Sequence, residues 1–214
     1  MTSTVDKMSE EIIAFWFSDA CRSPEALKAR AACWFTRDDA FDREIADRFG
    51  ALPERAAGGE LDAWSDAPRS ALALILVMDQ FPRNLFRESG SAFSYDENAL
   101  RVALEAVHKG FDQALHPVEA YFLYLPFEHA EDLALQERSV ALMEAQVARA
   151  PAGMAPSFES FADYARRHRE IIERFGRFPH RNAVLGRPST PDEDAYLRTG
   201  GETFGGAARK EESP

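Results

Sequence analysis

A chain of 214 residues, 45% of them hydrophobic and 16 of them Phe, is long and apolar enough for one large domain with a substantial core. Its formal charge of −11 and pI near 5.0 exclude nucleic acid and anionic membrane surfaces as general partners, since both require a clustered positive face. The longest purely apolar run, Ala71 to Met78, falls well short of the roughly 20 residues that span a bilayer.

The first thirteen residues lack the basic start and apolar run of a signal peptide, so a cytoplasmic location is expected. Apolar residues Ile12 to Phe17 then form a first helix after Ser9, a candidate cap. Pro24 opens a second. Phe41, Ile45 and Phe49 recur at i, i+4, i+8 and mark one face of a third. Cys21 and Cys33 are too few for a disulfide framework and read as reduced, buried thiols; Trp16, Trp34 and Trp64 read as core. Asp66 as N-cap and Pro68 in the first turn predict a helix through the apolar run, stopped by Pro82. Ser94 and Glu97 have capping-box spacing ahead of Leu100, Leu104 and Val107, with Gly110 as the stop.

The stretch from His116 to Ala150 predicts two helices divided near Pro126. Residues 149–157 form a loop. A helix carrying Phe161, Tyr164, His168, Ile171, Ile172 and Phe175 then ends at Gly176, and Thr190, Pro191 and Glu193 open a last one. No segment alternates with period two, so the expected fold is all-α: a single domain over residues 1–198, about eight to ten helices in antiparallel pairs. The Gly-rich tail 199–214 is expected to be disordered or loosely attached.

Three features bear on chemistry. Between Arg166 and Arg187 stand seven Arg and only two Glu, a segment of about +5 in a chain of −11. The guanidinium fork suits carboxylate or phosphate. Next, Phe81-Pro82-Arg83-Asn84 is echoed by Phe178-Pro179-His180-Arg181-Asn182, each continuing to a further Arg, Arg87 or Arg187. Finally, Glu128, His129 and Glu131 lie within one turn, a histidine beside two carboxylates. A capping cluster of Glu128, Glu131 and Asp132 would explain those acids without chemistry. Asp79 and Gln80 end the apolar run and need buried partners; an ion pair from Asp79 to an arginine of the second loop would supply one. No Walker, GxGxxG, GxSxG or HExxH motif is present, so no cofactor and no metal is expected.

The motifs "FWF", "WFTRDDAFDREI", "LALILVMDQFPRNLFR", "AFSYDENAL", "YLPFEHAEDLALQ" and "FGRFPHRNAVLGRPSTPDEDAYL" resemble the bacterial family catalogued as domain of unknown function 924, from about Ile12 to Leu197. The resemblance implies an all-helical, tetratricopeptide-like fold and states no activity. Ala130 stands where it leads one to expect Ser.

Three functional readings remain. In the first, Arg83, Arg181 and Arg187 hold a small anionic ligand and Asn84, Asn182, Asp79, Gln80 and Glu131 complete the pocket. His129, His168 or His180 then moves a proton if the protein is an enzyme. In the second, a helical-repeat module binds a protein partner without chemistry. In the third, the arginines and acids are an ion-pair network that pins helices. Ligand, reaction and oligomeric state are not legible.

Overall fold

The computed structural model describes residues 7–204, and among these every regular element is helical. The order is α1 (Lys7–Phe17), α2 (Pro24–Phe35), α3 (Asp39–Phe49), α4 (Leu52–Ala57), a 3-10 turn (Asp62–Asp66), α5 (Pro68–Ile75), a π turn (Leu76–Gln80), α6 (Phe81–Leu85) and a second 3-10 turn (Gly90–Phe93). There follow α7 (Asp96–His108), α8 (Phe111–Ala114), α9 (Pro117–Glu128), α10 (Leu133–Arg149), α11 (Ala155–Phe175), a third 3-10 turn (Pro179–Arg181) and α12 (Pro191–Arg198). No described helix is long and apolar enough to cross a membrane.

Two segments form the centre. Every residue from Ala71 to Gln80 is buried, and so is every residue from Val118 to Glu128. A helix apolar on all sides has to be covered on all sides. Accordingly α5 packs on α1, α7 and α9, while α9 also packs on α7 and α10, and α10 lies along α11. The aromatic residues fill the space between. Phe122 on α9 meets Trp34, Phe17 and Trp16 edge-on, with centroids at 4.6, 5.4 and 5.6 Å, and Phe81 stacks on Phe49 at 5.4 Å. These edge and offset geometries are the favoured ones for aromatic rings. All three Trp are buried. Cys21 and Cys33 are free thiols, half-buried rather than buried; burial, with Glu119 nearby, pushes the Cys21 thiol up to about 12.

Local signals placed several boundaries well. Thr190 and Glu193 form the reciprocal capping box that opens α12, and Gly176, at φ 69°, ends α11 in the left-handed conformation. Others moved. Pro82 does not stop the helix, because the chain loosens into the π turn and Pro82 then sits in the first turn of α6, where no N–H is required of it. Pro126 does not divide α9; it lies near the C-terminal end, and the break falls at His129–Asp132. α7 begins at Asp96 with Tyr95 before it and no side-chain cap, and α5 opens after Ala67 rather than on Asp66. Ser9 lies inside α1, which starts at Lys7.

The tail was expected to be disordered or loosely attached from residue 199. In its described part Gly201 N–H donates to the Tyr196 carbonyl at 3.0 Å, Glu202 N–H to the Tyr196 hydroxyl at 2.8 Å, and Glu202 pairs with Arg167. The expectation for 205–214 falls outside the described residues.

Phe122→Ala should lower the unfolding free energy by roughly 3–5 kcal/mol, read by urea titration, since it removes the ring on which the aromatic core converges. A loss below about 1 kcal/mol would mean that α9 is not the centre.

Candidate functional site

The π turn is the starting point. Its wide i→i+5 bond, from the Phe81 N–H to the Leu76 carbonyl, offsets the helix and leaves Asp79 with no exposed surface. A buried charge needs partners, and Asp79 has three. Its Oδ1 accepts from His129 Nδ1 at 2.7 Å and lies 3.2 Å from Arg83 Nη1, while Oδ2 accepts from Gln80 Nε2 at 2.5 Å. Burial opposes ionisation of Asp79, but Arg83 and His129 outweigh it and hold the carboxyl below the usual carboxylate range. His129 is lowered in turn, by burial first and by Arg83 second, against the pull of Asp79. The two shifts favour an ionised carboxylate and the neutral form of the imidazole. Nδ1–H donates to Asp79, so Nε2 is the basic nitrogen.

Arg83 reaches on to Asp96 at the start of α7, two parallel bonds of 3.0 and 3.1 Å. Arg181, from the second Phe-Pro loop, approaches the same carboxylate at 3.6 Å and donates to the His129 carbonyl at 3.1 Å. The guanidiniums of Arg83 and Arg181 both lie against the Phe93 ring, at 5.7 and 4.6 Å, and Arg181 also lies against Phe178 at 4.4 Å. The two loops thus converge on Asp96. Asp79 is joined to Arg83 of its own turn rather than to an arginine of the second loop.

A second group of titratable side chains lies beside this one. Glu128 and His168 are 2% and 5% exposed, with Glu128 Oε1 at 3.3 Å from His168 Nδ1, which also donates to the Tyr164 carbonyl at 2.9 Å. The His168 ring is 6.3 Å from that of His129 and 5.6 Å from Phe178, which is 5.7 Å from His180. Burial, with the charge of Asp79, pushes the Glu128 carboxyl up to about 8. Burial also holds His168 well below the ordinary imidazole range, and with Arg181 brings His180 down to about 3. Arg181 itself is brought down to about 10 by burial. Three atoms here are buried with no hydrogen-bond partner among the described residues: Glu128 Oε2, His180 Nδ1 and Arg181 Nε.

The remaining expected residues form two matching clamps. Arg87 grips Asp42 of α3 with bonds of 2.5 and 2.8 Å, and Asn84 donates to the same carboxylate at 2.8 Å. Arg187 grips Glu131 with bonds of 2.5 and 3.0 Å and donates to Asn182 Oδ1 at 3.0 Å, and Asn182 donates to Ser189 at 3.2 Å. Glu131 also accepts from the Phe178 N–H at 2.9 Å. Asn84 and Arg187 thus lie on clamps that bear on neighbouring elements. Of the three acids read as a capping cluster, only Asp132 caps α10, accepting from the Leu135 N–H at 2.9 Å. Glu128 turns to His168 and Glu131 to Arg187. Among the described residues no three His, Cys, Asp or Glu side chains are grouped to hold a metal ion.

Comparison with known proteins places this arrangement in a family. The model of the bacterial protein of unknown function DUF924 matches residues 12–201. The chain belongs to that family. A solved structure, that of the protein of unknown function ATU0120 from Agrobacterium tumefaciens, is 40% identical, with a TM-score of 0.75 over 90% of this chain and 98% of its own. No curated protein matches. In this DUF924 chain the motif AFSYDENAL, legible in sequence only as a helix start, supplies Phe93 and Asp96, the two residues on which both loops meet. Nothing in their spacing to Arg83 or Arg181 announces that.

Two outcomes follow from these partners. A Glu whose folded pKa is raised keeps its proton while the unfolded chain loses it, so stability falls as pH rises from about 4.5 to about 8 and then levels. Glu128→Gln removes that fall. Relative to wild type its stability should improve on the order of 3–4 kcal/mol between pH 5 and pH 8, in paired urea titrations; a difference independent of pH would refute the buried acid. Arg187→Met should cost about 2–3 kcal/mol, since Glu131 loses its counter-ion in a site with a quarter of each side chain exposed. Arg181→Met should cost about half as much by the same measurement, because Asp96 retains both bonds from Arg83.

Proposed function

We propose that this protein binds a small molecule bearing an acidic group at the His129–His168–His180 centre and performs acid–base chemistry on it. Three buried, unpartnered polar atoms on side chains gathered around the His168 and Phe178 rings carry this reading: Glu128 Oε2, His180 Nδ1 and Arg181 Nε. Buried polar groups without partners are rare in folded proteins, and where several meet on catalytically capable side chains they suit a site at which water or a ligand completes the bonding. Among the described side chains around His168 and Phe178, Arg181 is the cation with an unpartnered buried donor, so it takes the acidic group. Arg83 and Arg187 each have a carboxylate already and act as the walls that hold Asp79 and Phe178 in position.

Environments that drive neighbouring titratable groups in opposite directions assign acid and base. Asp79 orients His129 with Nε2 basic, so His129 is the base. Glu128, held protonated through neutral pH, is the acid. No serine or cysteine forms part of the described group, which makes water the nucleophile of a hydrolysis, or leaves an elimination in which base and acid act on neighbouring atoms.

A protein partner in a helical groove is the competing reading, and it would go with a tetratricopeptide-like stacking. Helices of four to 21 residues, and the approach of His129 to His168 and of His180 to it through the Phe178 ring, favour the small molecule.

Thermal unfolding against a panel of carboxylates and phosphates tests the proposal. A true ligand at a hundredfold excess over its Kd should raise Tm by roughly 5–10 °C. The rise should vanish in Arg181→Met, where Arg83 still holds Asp96. A panel without a single Arg181-dependent shift would reject the anion site.

A further inference from the structure

His168 is 5% exposed, and two surface clefts, lined by Arg174 and Phe175 with Thr190 or Tyr196, do not include it among their lining residues. The side chain that covers His168 comes from the far end of the described chain. The Phe204 ring lies flat on the imidazole, centroids 3.4 Å apart and planes 16° from parallel. It also meets Phe178, His180 and Tyr164 at 6.3, 6.0 and 6.3 Å. Phe204 therefore touches each of the rings around which the unpartnered atoms gather.

The backbone that delivers the ring is unusual. Phe204 has φ 48°, a left-handed conformation that a bulky side chain rarely takes and that costs free energy. It stands between two glycine pairs, Gly200-Gly201 and Gly205-Gly206. Behind it the strap is fastened by few contacts: the Glu202–Arg167 ion pair, between partly exposed side chains, and the two bonds to Tyr196. No buried aliphatic anchor lies in residues 199–204. A strained residue on weak backbone fastenings, held in place by its side chain's ring contacts to His168, Phe178, His180 and Tyr164, belongs to the part of a fold that opens locally at low cost.

We infer that the chain closes its own histidine centre: residues 200–204 form a strap whose Phe204 ring plugs the face of His168, and a ligand reaches His168 only when that ring leaves. The inference rests on the histidine centre being the functional site, but its test does not require a ligand. Glu202 leaves Arg167 and Phe204 leaves His168 in one movement, so strap and ligand compete for the same face. The group that displaces the plug has to be flat enough to stand against the imidazole.

Carbethoxylation by diethyl pyrocarbonate, mapped by peptide mass spectrometry, reads this directly. The reagent attacks neutral imidazole, which His168 already is, so its rate reports access. In the full-length protein His168 should react slowly and the exposed His108 quickly. Phe204→Ala should raise the His168 rate about tenfold while leaving His108 and the melting temperature unchanged. Phe204→Tyr, which keeps a flat ring, should restore protection, whereas Phe204→Leu, apolar but not flat, should not. Glu202→Gln should give an intermediate rate by loosening the strap behind the ring. A His168 rate equal in wild type and Phe204→Ala would overturn the plug, and so would full protection by Leu. Failure of the ligand screen with a rise in Phe204→Ala would leave the plug standing and remove only the proposed anion.

Discussion

A carboxylate with no exposed surface has to be neutralised by whatever the fold can bring to it, and at Asp79 the fold brings His129 from the end of α9 and Arg83 from the following turn. Much of the polar interior follows from that requirement. Arg83 cannot serve Asp79 alone, because its fork has further donors, and Asp96 takes two of them. Asp96 in turn draws Arg181. The charge of Asp79 is also felt by Glu128, which it helps to keep protonated. Burial, with the charge of Asp79 added to it, keeps Glu128 protonated, while Arg83 and His129 keep Asp79 itself ionised.

The position of Asp79 depends on the π turn. In a regular α-helix from Pro68 through Leu85 the bond register would be one residue tighter, and Pro82 would meet the carbonyl four residues before it. The wide turn accommodates the proline and turns Asp79 and Gln80 inward together. π turns inside helices recur at functional sites for this kind of reason: they are locally unfavourable and re-aim side chains that a regular helix would place elsewhere. The matching clamps, Arg87 on Asp42 and Arg187 on Glu131, hold the loops on either side. Stability and chemistry therefore share residues, and a substitution in the clamps acts on the fold first.

Glu128, His129 and Glu131 show how far neighbouring residues can diverge. They stand within four positions of one another, yet their partners lie on α11, in the π turn and in the loop after Gly176. As a string they suggested a histidine flanked by two assisting carboxylates. In space each acid serves a different group, and the carboxylate that assists His129 is Asp79, fifty positions away. Phe204 is the same lesson at the other end of the chain: the polar, Gly-rich composition around it indicates a loose tail, and the single aromatic residue in that tail is the one that finds a ring to stack on.

What the sequence by itself determined is whatever rests on short-range geometry. Phe41, Ile45 and Phe49 recur with the helical period and are all buried; Thr190 and Glu193 lie three residues apart and close a capping box; Gly176 ends α11 because only glycine takes that conformation freely. These interactions are made within a turn or two and so are written in adjacent letters. The family motifs extended that reading to the all-helical fold class of nearly the whole chain. The tertiary structure alone decided which arginine meets which carboxylate. Arg83, Arg87, Arg181 and Arg187 carry the same charge and the same fork, and with several acids available for them their pairing depends on helix packing rather than on residue type. It decided, too, that Pro126 would be carried within α9, whose faces are buried on all sides, and that Pro82 would enter the first turn of α6 after the π turn, where its missing N–H is not needed.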